Sequence, residues 1–293
     1  MARSAVSSTP HSAYALVEPD AATWDRFVIG HPDGHALQSA AWGELKRFAG
    51  WRPRLLAVAG SGAIVAGALV LTRSKFGIAM AYTPRGPLFG DTTANEVLLA
   101  GLKRVASAAR AVVLRLEPNV LAGSPGADEL HSQLLLHGYR IAAPIQPASS
   151  IHLELAPAPE RLLASMSKGH RADIRRAARE GVLVSWGSSK SELEQFYAIL
   201  VDTARRAEFG IHSCEYYATV LRLFGDAARV WIASRNGVAE AAALTLAWGK
   251  QALYLYSGST EAGLRSGAQH AIQWEVIQWA RERGCRTYDF WGI

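Results

Sequence analysis

Hydrophobic and polar positions follow one pattern twice along this chain. Residues 57–82 read AVAGSGAIVAGALVLTRSKFGIAMAY: a glycine turn enters an apolar strand, a turn with a lysine follows, and another apolar strand ends near a tyrosine. Residues 232–257, IASRNGVAEAAALTLAWGKQALYLYS, repeat that order. Gly62 matches Gly237, Ala68-Leu69 matches Ala243-Leu244, and Leu71 matches Leu246, each pair 175 positions apart. The echo extends both ways. Residues 42–48 and 216–224 read as short aromatic-bearing helices, and 97–109 and 267–283 as longer helices. Residues 111–117 read as a buried strand and 286–291 as its counterpart. A repeat of this length is a duplicated domain rather than a solenoid unit. Its element order predicts an α/β (α+β) fold with a mixed sheet in each half.

A Pro/Ser/Ala-rich stretch at 142–150 marks the boundary, giving expected domains 12–145 and 146–293. After it, 151–155 and 182–186 read as strands, and 160–167 and 171–180 as helices. The uncharged run 55–72 has a membrane-span length, but Gly60-Ser61-Gly62 breaks it and β-branched residues follow, so a hairpin is expected. Residues 1–10 read as a loose end.

Composition narrows the class. With 49% hydrophobic and 19% charged residues among 293, the chain is globular and too apolar to be disordered. A net charge of +6 favours anionic partners such as tRNA, phosphates or acidic lipid, without choosing among them. Two cysteines, Cys214 and Cys285, form no CxxC or metal spacing, and the start lacks an apolar leader, so a cytoplasmic location is expected.

Several motifs, in order, resemble the Fem family (FemA, FemB, FemX) of peptidoglycan-bridge aminoacyltransferases. They are His31-Pro-x-Gly34, Leu37-Gln-Ser-x-x-Trp-Gly43 with Lys46 and Gly50-Trp51, Tyr82-x-Pro-Arg-Gly-Pro87, Arg115-x-Glu-Pro118 and Ile145-Gln-Pro147. In the second half come Arg171-x-Asp-Ile-Arg-x-Ala177, Thr203-x-x-Arg206-x-x-Phe209 before Tyr216-Tyr217, Tyr254-x-Tyr256, and Tyr288-Asp-Phe-Trp-Gly292. The resemblance implies two tandem GNAT-like acyltransferase domains, an aminoacyl-tRNA donor, and UDP-MurNAc-pentapeptide or lipid II as acceptor. It also implies a monomer, with possible contact at the inner membrane face. No sustained heptads are present, so the form expected is FemX-like, without a coiled-coil arm. The family continues past Asp-Phe-Trp-Gly, and from that difference closing C-terminal strands are expected to be missing.

The implied chemistry is aminolysis of an ester, already activated, so no cofactor or metal is required. By the resemblance, Lys46 and Arg206 grip the acceptor's diphosphate; a solvated lysine and a helix salt bridge are the ordinary alternatives. Arg85, between prolines, suits rigid recognition or loop-carbonyl bonding, and Asp91 is a polar candidate for the acceptor peptide. Tyr254 and Tyr256 alternate on one strand, which predicts that both face one side, with Tyr82 equivalent in the first half; they suit a substrate cleft or core packing. Lys168, Arg171, Arg175 and Arg179 form a basic helical row that could follow tRNA phosphates or be solvated. Residues 263–268 open the long second helix as an anion loop or a cap. Asp289 is the candidate base or orienting carboxylate; His212 and His270 read as structural. An acyl-CoA-dependent transferase of polysaccharide synthesis and a non-catalytic basic protein binding RNA or membrane stay open as other readings.

Overall fold

The structure is a computed structural model that describes residues 14–292. The loose end expected at 1–10 lies outside these residues. The chain divides into two compact units, Met1–Ala142 and Ala143–Ile293.

In the first unit, β1 (Tyr14–Val17) is followed by α1 (Ala21–Gly30) and α2 (Ala40–Phe48). Then come β2 (Arg52–Gly60), β3 (Ala63–Lys75), β4 (Ile78–Thr83), α3 (Thr92–Ala108), β5 (Ala111–Leu116) and α4 (Ala127–Leu136). The sheet order is β1-β2-β3-β4-β5, antiparallel except for the last pair, which is parallel. In the second unit, β6 (Ser150–Glu154), α5 (Pro159–Ser165) and α6 (Lys168–Arg179) precede the repeat. The repeat is β7 (Leu183–Gly187), α7 (Lys190–Ala207), α8 (Cys214–Phe224), β8 (Ala228–Arg235), β9 (Val238–Trp248) and β10 (Gln251–Ser259). It closes with α9 (Glu261–Ser266), α10 (Ala268–Glu282) and β11 (Thr287–Gly292). Its sheet, β6-β11-β10-β9-β8-β7, also has one parallel pair, β10 with β11. Each half therefore carries a mixed sheet with the same order of elements.

Local chemistry explains the boundaries. Asp20, Ser39 and Asp91 cap α1, α2 and α3 by accepting from Thr23, Trp42 and Ala94 main-chain N–H groups. Ser189 and Glu192 form a capping box on α7. The apolar run 55–72 is the β2–β3 hairpin, turned at Ser61-Gly62 with φ of 51° and 82°. Asn236-Gly237 makes the matching turn in the second half, at 52° and 77°. Both residues of such a two-residue turn need positive φ, which glycine and asparagine tolerate.

A bulge recurs as well. The β2–β3 register slips at Val65, between Val58↔Ala66 and Ala59↔Ile64. The β8–β9 register slips at Glu240, 175 residues later, between Ala233↔Ala241 and Ser234↔Ala239. In both, the bulged carbonyl meets a glycine on the way into the next helix: a Cβ on Gly90 would lie 2.6 Å from Val65 O, and one on Gly263 would lie 2.3 Å from Glu240 O.

The cores are apolar and built around small strand residues. Leu98, Leu99 and Leu102 of α3 pack on Val58, Ala66, Ala68 and Ala81. On the second sheet, Ile272, Val276 and Ala280 of α10 pack on Ala241, Ala243 and Ala252. Trp24 of α1 is fully buried over Gly67, where an added Cβ would meet its ring at 2.7 Å, and its indole donates to Gln38 O.

Two expectations change here. α3 begins at Thr92 rather than 97, because Asp91 caps it. β5 is not a buried strand: it is the sheet edge, with Val112 and Val113 exposed. The alternation of apolar residues marked a strand without revealing that no neighbour covers its outer side.

Gly263→Ala should cost about 1–3 kcal/mol, since the Glu240 main-chain carbonyl would have to yield as well as the Ser259 hydroxyl. A lower urea midpoint at unchanged slope would register it. Gly210→Ala, with open space around it, should stay within about 0.5 kcal/mol.

Candidate functional site

In the first unit the parallel strands β4 and β5 bring Tyr82, Arg115 and Glu117 together at their C-terminal ends. Tyr82 is buried and its hydroxyl donates to the Glu117 carboxylate. Arg115 lies 3.7 Å from the same carboxylate, whose side chain is only 12% exposed. The loop carrying Arg85 is held from several sides. Gln38, wholly buried, donates to Pro84 O at 2.6 Å and accepts from Leu69 N at 2.8 Å. Thr83 Oγ1 donates to Gly86 O, which also accepts from Glu117 N. Arg85 itself sits at φ 48°. Arg85 is thus a half-buried cation at a positive φ on a loop fixed at both ends.

Lys46 leaves α2 half-buried. Its Nζ lies 4.6 Å from the Trp42 ring centroid, and burial lowers its ammonium to about 8. Its carbonyl accepts from Trp51 N, and the Trp51 ring packs on Tyr82 at 6.4 Å. Lys46 thus joins the Tyr82–Glu117 group through one aromatic residue. Burial disfavours the charged form of the Lys46 amine, and an anion brought beside it would favour that form again.

Asp91 lies apart from this group. As the cap of α3 it accepts from Ala94 N and from the Tyr14 hydroxyl, and these bonds, the Ala94 one first, lower its pKa. It lines a cavity of about 1060 Å³ together with Asp33, Glu96, Asp128 and Glu129. That cavity is the larger opening, but its lining holds five carboxylates and neither Lys nor Arg, so it repels phosphate.

In the second unit a cavity of about 470 Å³ opens beside β10, lined by Phe209, His212, Tyr217, Tyr254, Tyr256 and Trp291 among others. His212 stacks on Tyr216 at 3.8 Å, and Tyr217 meets Tyr256 at 5.0 Å. Burial pushes the Tyr216 and Tyr217 hydroxyls up to about 12, and Tyr256 well above its ordinary value, so all three are neutral donors. His212, read as structural, is thus a cavity residue; only its place two positions after Gly210 could have hinted at it.

Tyr254 and Tyr256 do not face one side. The β9–β10 register slips between them, Tyr254↔Thr245 and Tyr256↔Leu244, leaving Leu255 unpaired. One extra residue reverses the alternation. Tyr254 belongs to the core under α10 and accepts from Gln269, while Tyr256 turns to Tyr216 and Tyr217.

Asp289 is not among the cavity-lining residues. It is 2% exposed, accepts from the Ser150 hydroxyl and from Trp291 N, and lies 3.3 Å from His152. Its Oδ1 accepts from both Ser150 and Trp291 at the β6–β11 register break, and its Oδ2 faces His152, the arrangement of an orienting carboxylate. Arg206 donates to Ser259 O and pairs with Asp202 at 3.3 Å, tying α7 to the end of β10. On α6, Arg171 donates to Ala164 O and Met166 O, closing α5, while Lys168, Arg175 and Arg179 are exposed. The expected row of four cations is therefore a row of three. The stretch 263–268 is mostly the short helix α9. Behind it, Gly267 abuts Asp173 O, where a Cβ would sit at 2.7 Å, so the N-terminus of α10 is covered by α6. It serves as a cap, not an anion loop. His270 lies 3.6 Å from Asp173 in the same packing.

Known proteins match this architecture along its length. The chain is 29% identical over 291 residues to the UDP-N-acetylmuramoylpentapeptide-lysine N(6)-alanyltransferase of Weissella viridescens, covering 92% of this chain and 83% of that one. It is 24% identical to the lipid II:glycine glycyltransferase of Staphylococcus haemolyticus, over 92% and 82%. Among solved structures, FemX superposes with a TM-score of 0.85 at 20% identity, over 95% and 89%. A tandem GNAT protein from the clavulanic acid pathway superposes at 0.55 and 10% identity, over 95% and 90%, showing the shared GNAT-like fold. The FemAB family model matches residues 20–239 and 234–293, and the chain belongs to the FemAB family.

Proposed function

We propose that this protein is a cytoplasmic, monomeric aminoacyltransferase that moves an amino acid from an aminoacyl-tRNA to the stem-peptide amine of a peptidoglycan precursor. The precursor is UDP-MurNAc-pentapeptide or lipid II, the acceptors named for the two relatives above. The observation that carries this reading is the group in the first unit: a desolvated Lys46, a fixed Arg85, and a Tyr82–Glu117 pair at the ends of two parallel strands.

The reaction is a balanced exchange. The stem-peptide amine, once deprotonated, attacks the ester carbonyl carbon; a tetrahedral oxyanion forms; the C–O bond to the ribose breaks and that oxygen takes a proton. Glu117 is assigned the task of receiving the ammonium's proton, with Tyr82 orienting its carboxylate. Lys46 and Arg85 suit the phosphates and peptide of the acceptor. Within the second unit, Arg206 is assigned a phosphate contact, and Lys168, Arg175 and Arg179 the tRNA backbone. The aromatic cavity of the second unit, with neutral hydroxyls at Tyr216, Tyr217 and Tyr256, suits the uncharged ester end of the donor. An acyl-CoA reading gains nothing from the helix N-termini. A carboxylate, Asp91, occupies that of α3, and α6 packs on that of α10.

A mixed pool of charged tRNA, offered with either precursor, should add one residue's mass to the acceptor. No gain with either would sink the reading, and tRNA binding without transfer would favour a non-catalytic RNA-binding protein. Lys46→Ala should weaken acceptor binding by about 1.5–3 kcal/mol. Arg206→Ala should do likewise and also lower stability, since it cuts the Ser259 tie. Glu117→Gln should lower kcat at least about 100-fold with little change in acceptor KM.

Titration of Lys46 gives a separate test. Its ammonium is lost near pH 8 in the free protein, and a bound diphosphate holds the proton to higher pH. Affinity for UDP should therefore be full at neutral pH and fall as pH rises above about 8, by up to tenfold per unit. Calorimetry should show this slope flatten in Lys46→Arg, whose charge persists.

A further inference from the structure

One end of the first sheet breaks a local rule. The β3–β4 hairpin turns through Phe76-Gly77, at φ of 52° and 78°. The two other X-Gly turns of this geometry use Asn236, which favours positive φ, and the small Ser61. A phenylalanine there is strained, and it recovers nothing by burial, since Phe76 is 91% exposed. Ile78 beside it is 63% exposed. β4 and β5 run parallel, so their starts share this end, where Val112 and Val113 are 75% and 47% exposed. Four large apolar side chains thus cluster at one tip of the unit.

The charges around the tip have one sign. Residues 73–80 and 103–114 contain five exposed cations and no Asp or Glu; Arg73 stacks on Trp51 and Lys103 donates to His137 O, so Lys75, Arg104 and Arg110 are the cations assigned to the tip. Lys75 Nζ lies 5.1 Å from the Phe76 ring centroid, beside the apolar group rather than paired with a carboxylate.

We propose that this tip docks the protein on a bilayer containing anionic lipid, with Phe76 and its aliphatic neighbours entering the headgroup boundary and the flanking cations meeting lipid phosphates. Aliphatic residues at the tip favour lipid over RNA, whose bases stack on aromatic planes. Strand addition by a second copy is disfavoured on the same edge, because β5 carries a bulge at Val112, between the pairs Ala79↔Ala111 and Met80↔Val113. Tyr82 lies four residues along β4 from Ile78, about 13 Å by strand rise. A docked chain would hold the Tyr82–Glu117 group within reach of a precursor anchored in the same bilayer. The docking surface itself stands on the tip residues, whatever reaction the protein performs.

The test is co-sedimentation of the full chain with vesicles of phosphatidylcholine containing roughly one quarter phosphatidylglycerol, against phosphatidylcholine alone. The protein should pellet with the anionic vesicles, and raised salt should release it. Phe76→Asp should cut the bound fraction's partition coefficient at least about tenfold. Aspartate tolerates positive φ better than phenylalanine, so the fold should hold, as circular dichroism would verify. Lys75→Glu should cut it by about fivefold or more. Leu136→Asp, an 88% exposed control on α4, should leave it unchanged. Transfer to the soluble nucleotide-linked precursor should be the same in Phe76→Asp as in the parent, which separates docking from chemistry. A parent that ignores anionic vesicles, or a Phe76→Asp variant that pellets as the parent does, overturns the proposal. So does a concentration-dependent dimer, lost in Phe76→Asp, without vesicle binding.

Discussion

The constraint on which the rest depends is the parallel pairing of β4 with β5, repeated in β10 with β11. An antiparallel meander can turn in two residues, but a parallel partner requires a crossover. α3 and α10 are those crossovers, and each buries one face of its sheet with leucine, isoleucine and valine against alanine-rich strands. The partner strands then finish side by side, which leaves Tyr82 and Glu117 as neighbours on separate strands. In the second half Phe290 and Trp291 finish beside the bulged stretch of β10. Cutting either crossover would leave the chemistry-bearing ends with nothing to align them.

Electrostatics divide the molecule's openings by ligand sign. The larger cavity is walled by carboxylates, and Asp91 already satisfies the helix beside it. The second unit's cavity is lined by aromatic rings whose hydroxyls keep their protons. Between these extremes Lys46 is a cation kept partly from water, weakened as an acid–base group and correspondingly responsive to an arriving anion. Size and wall charge thus point to different openings for an anionic ligand.

Much of the fold was legible because the repeat is written in turns. Gly62 and Gly237 mark hairpins that the apolar runs alone leave ambiguous, and their constant offset carried the remaining elements with them. What escaped was set by single inserted residues and by neighbours. Nothing in Tyr254-Leu-Tyr256 announces that Leu255 drops out of the ladder, so the two tyrosines looked alike although one packs in the core under α10 and the other turns to Tyr216 and Tyr217. Asp289 ends a strand like many catalytic carboxylates, yet its partners, Ser150 and His152, lie more than a hundred residues earlier. Arg171 fell in register with Arg175 and Arg179, and only the position of the α5 terminus shows why it turns away. Glu117 stands in a motif of the first half, and its bond from the Tyr82 hydroxyl depends on a strand pairing that the motif does not spell out.

The two kinds of bulge also order events in the chain's ancestry. Val65 and Glu240 occupy the same place in the two halves, so that irregularity is most simply assigned to a single-copy ancestor that already needed it. Leu255 has no counterpart: its equivalent, Met80, stays in continuous pairing with Arg73. The aromatic cavity beside β10 accordingly borders a bulge that the β3–β4 pairing of the first half does not carry, so one residue dropped from the ladder separates the two copies at this strand.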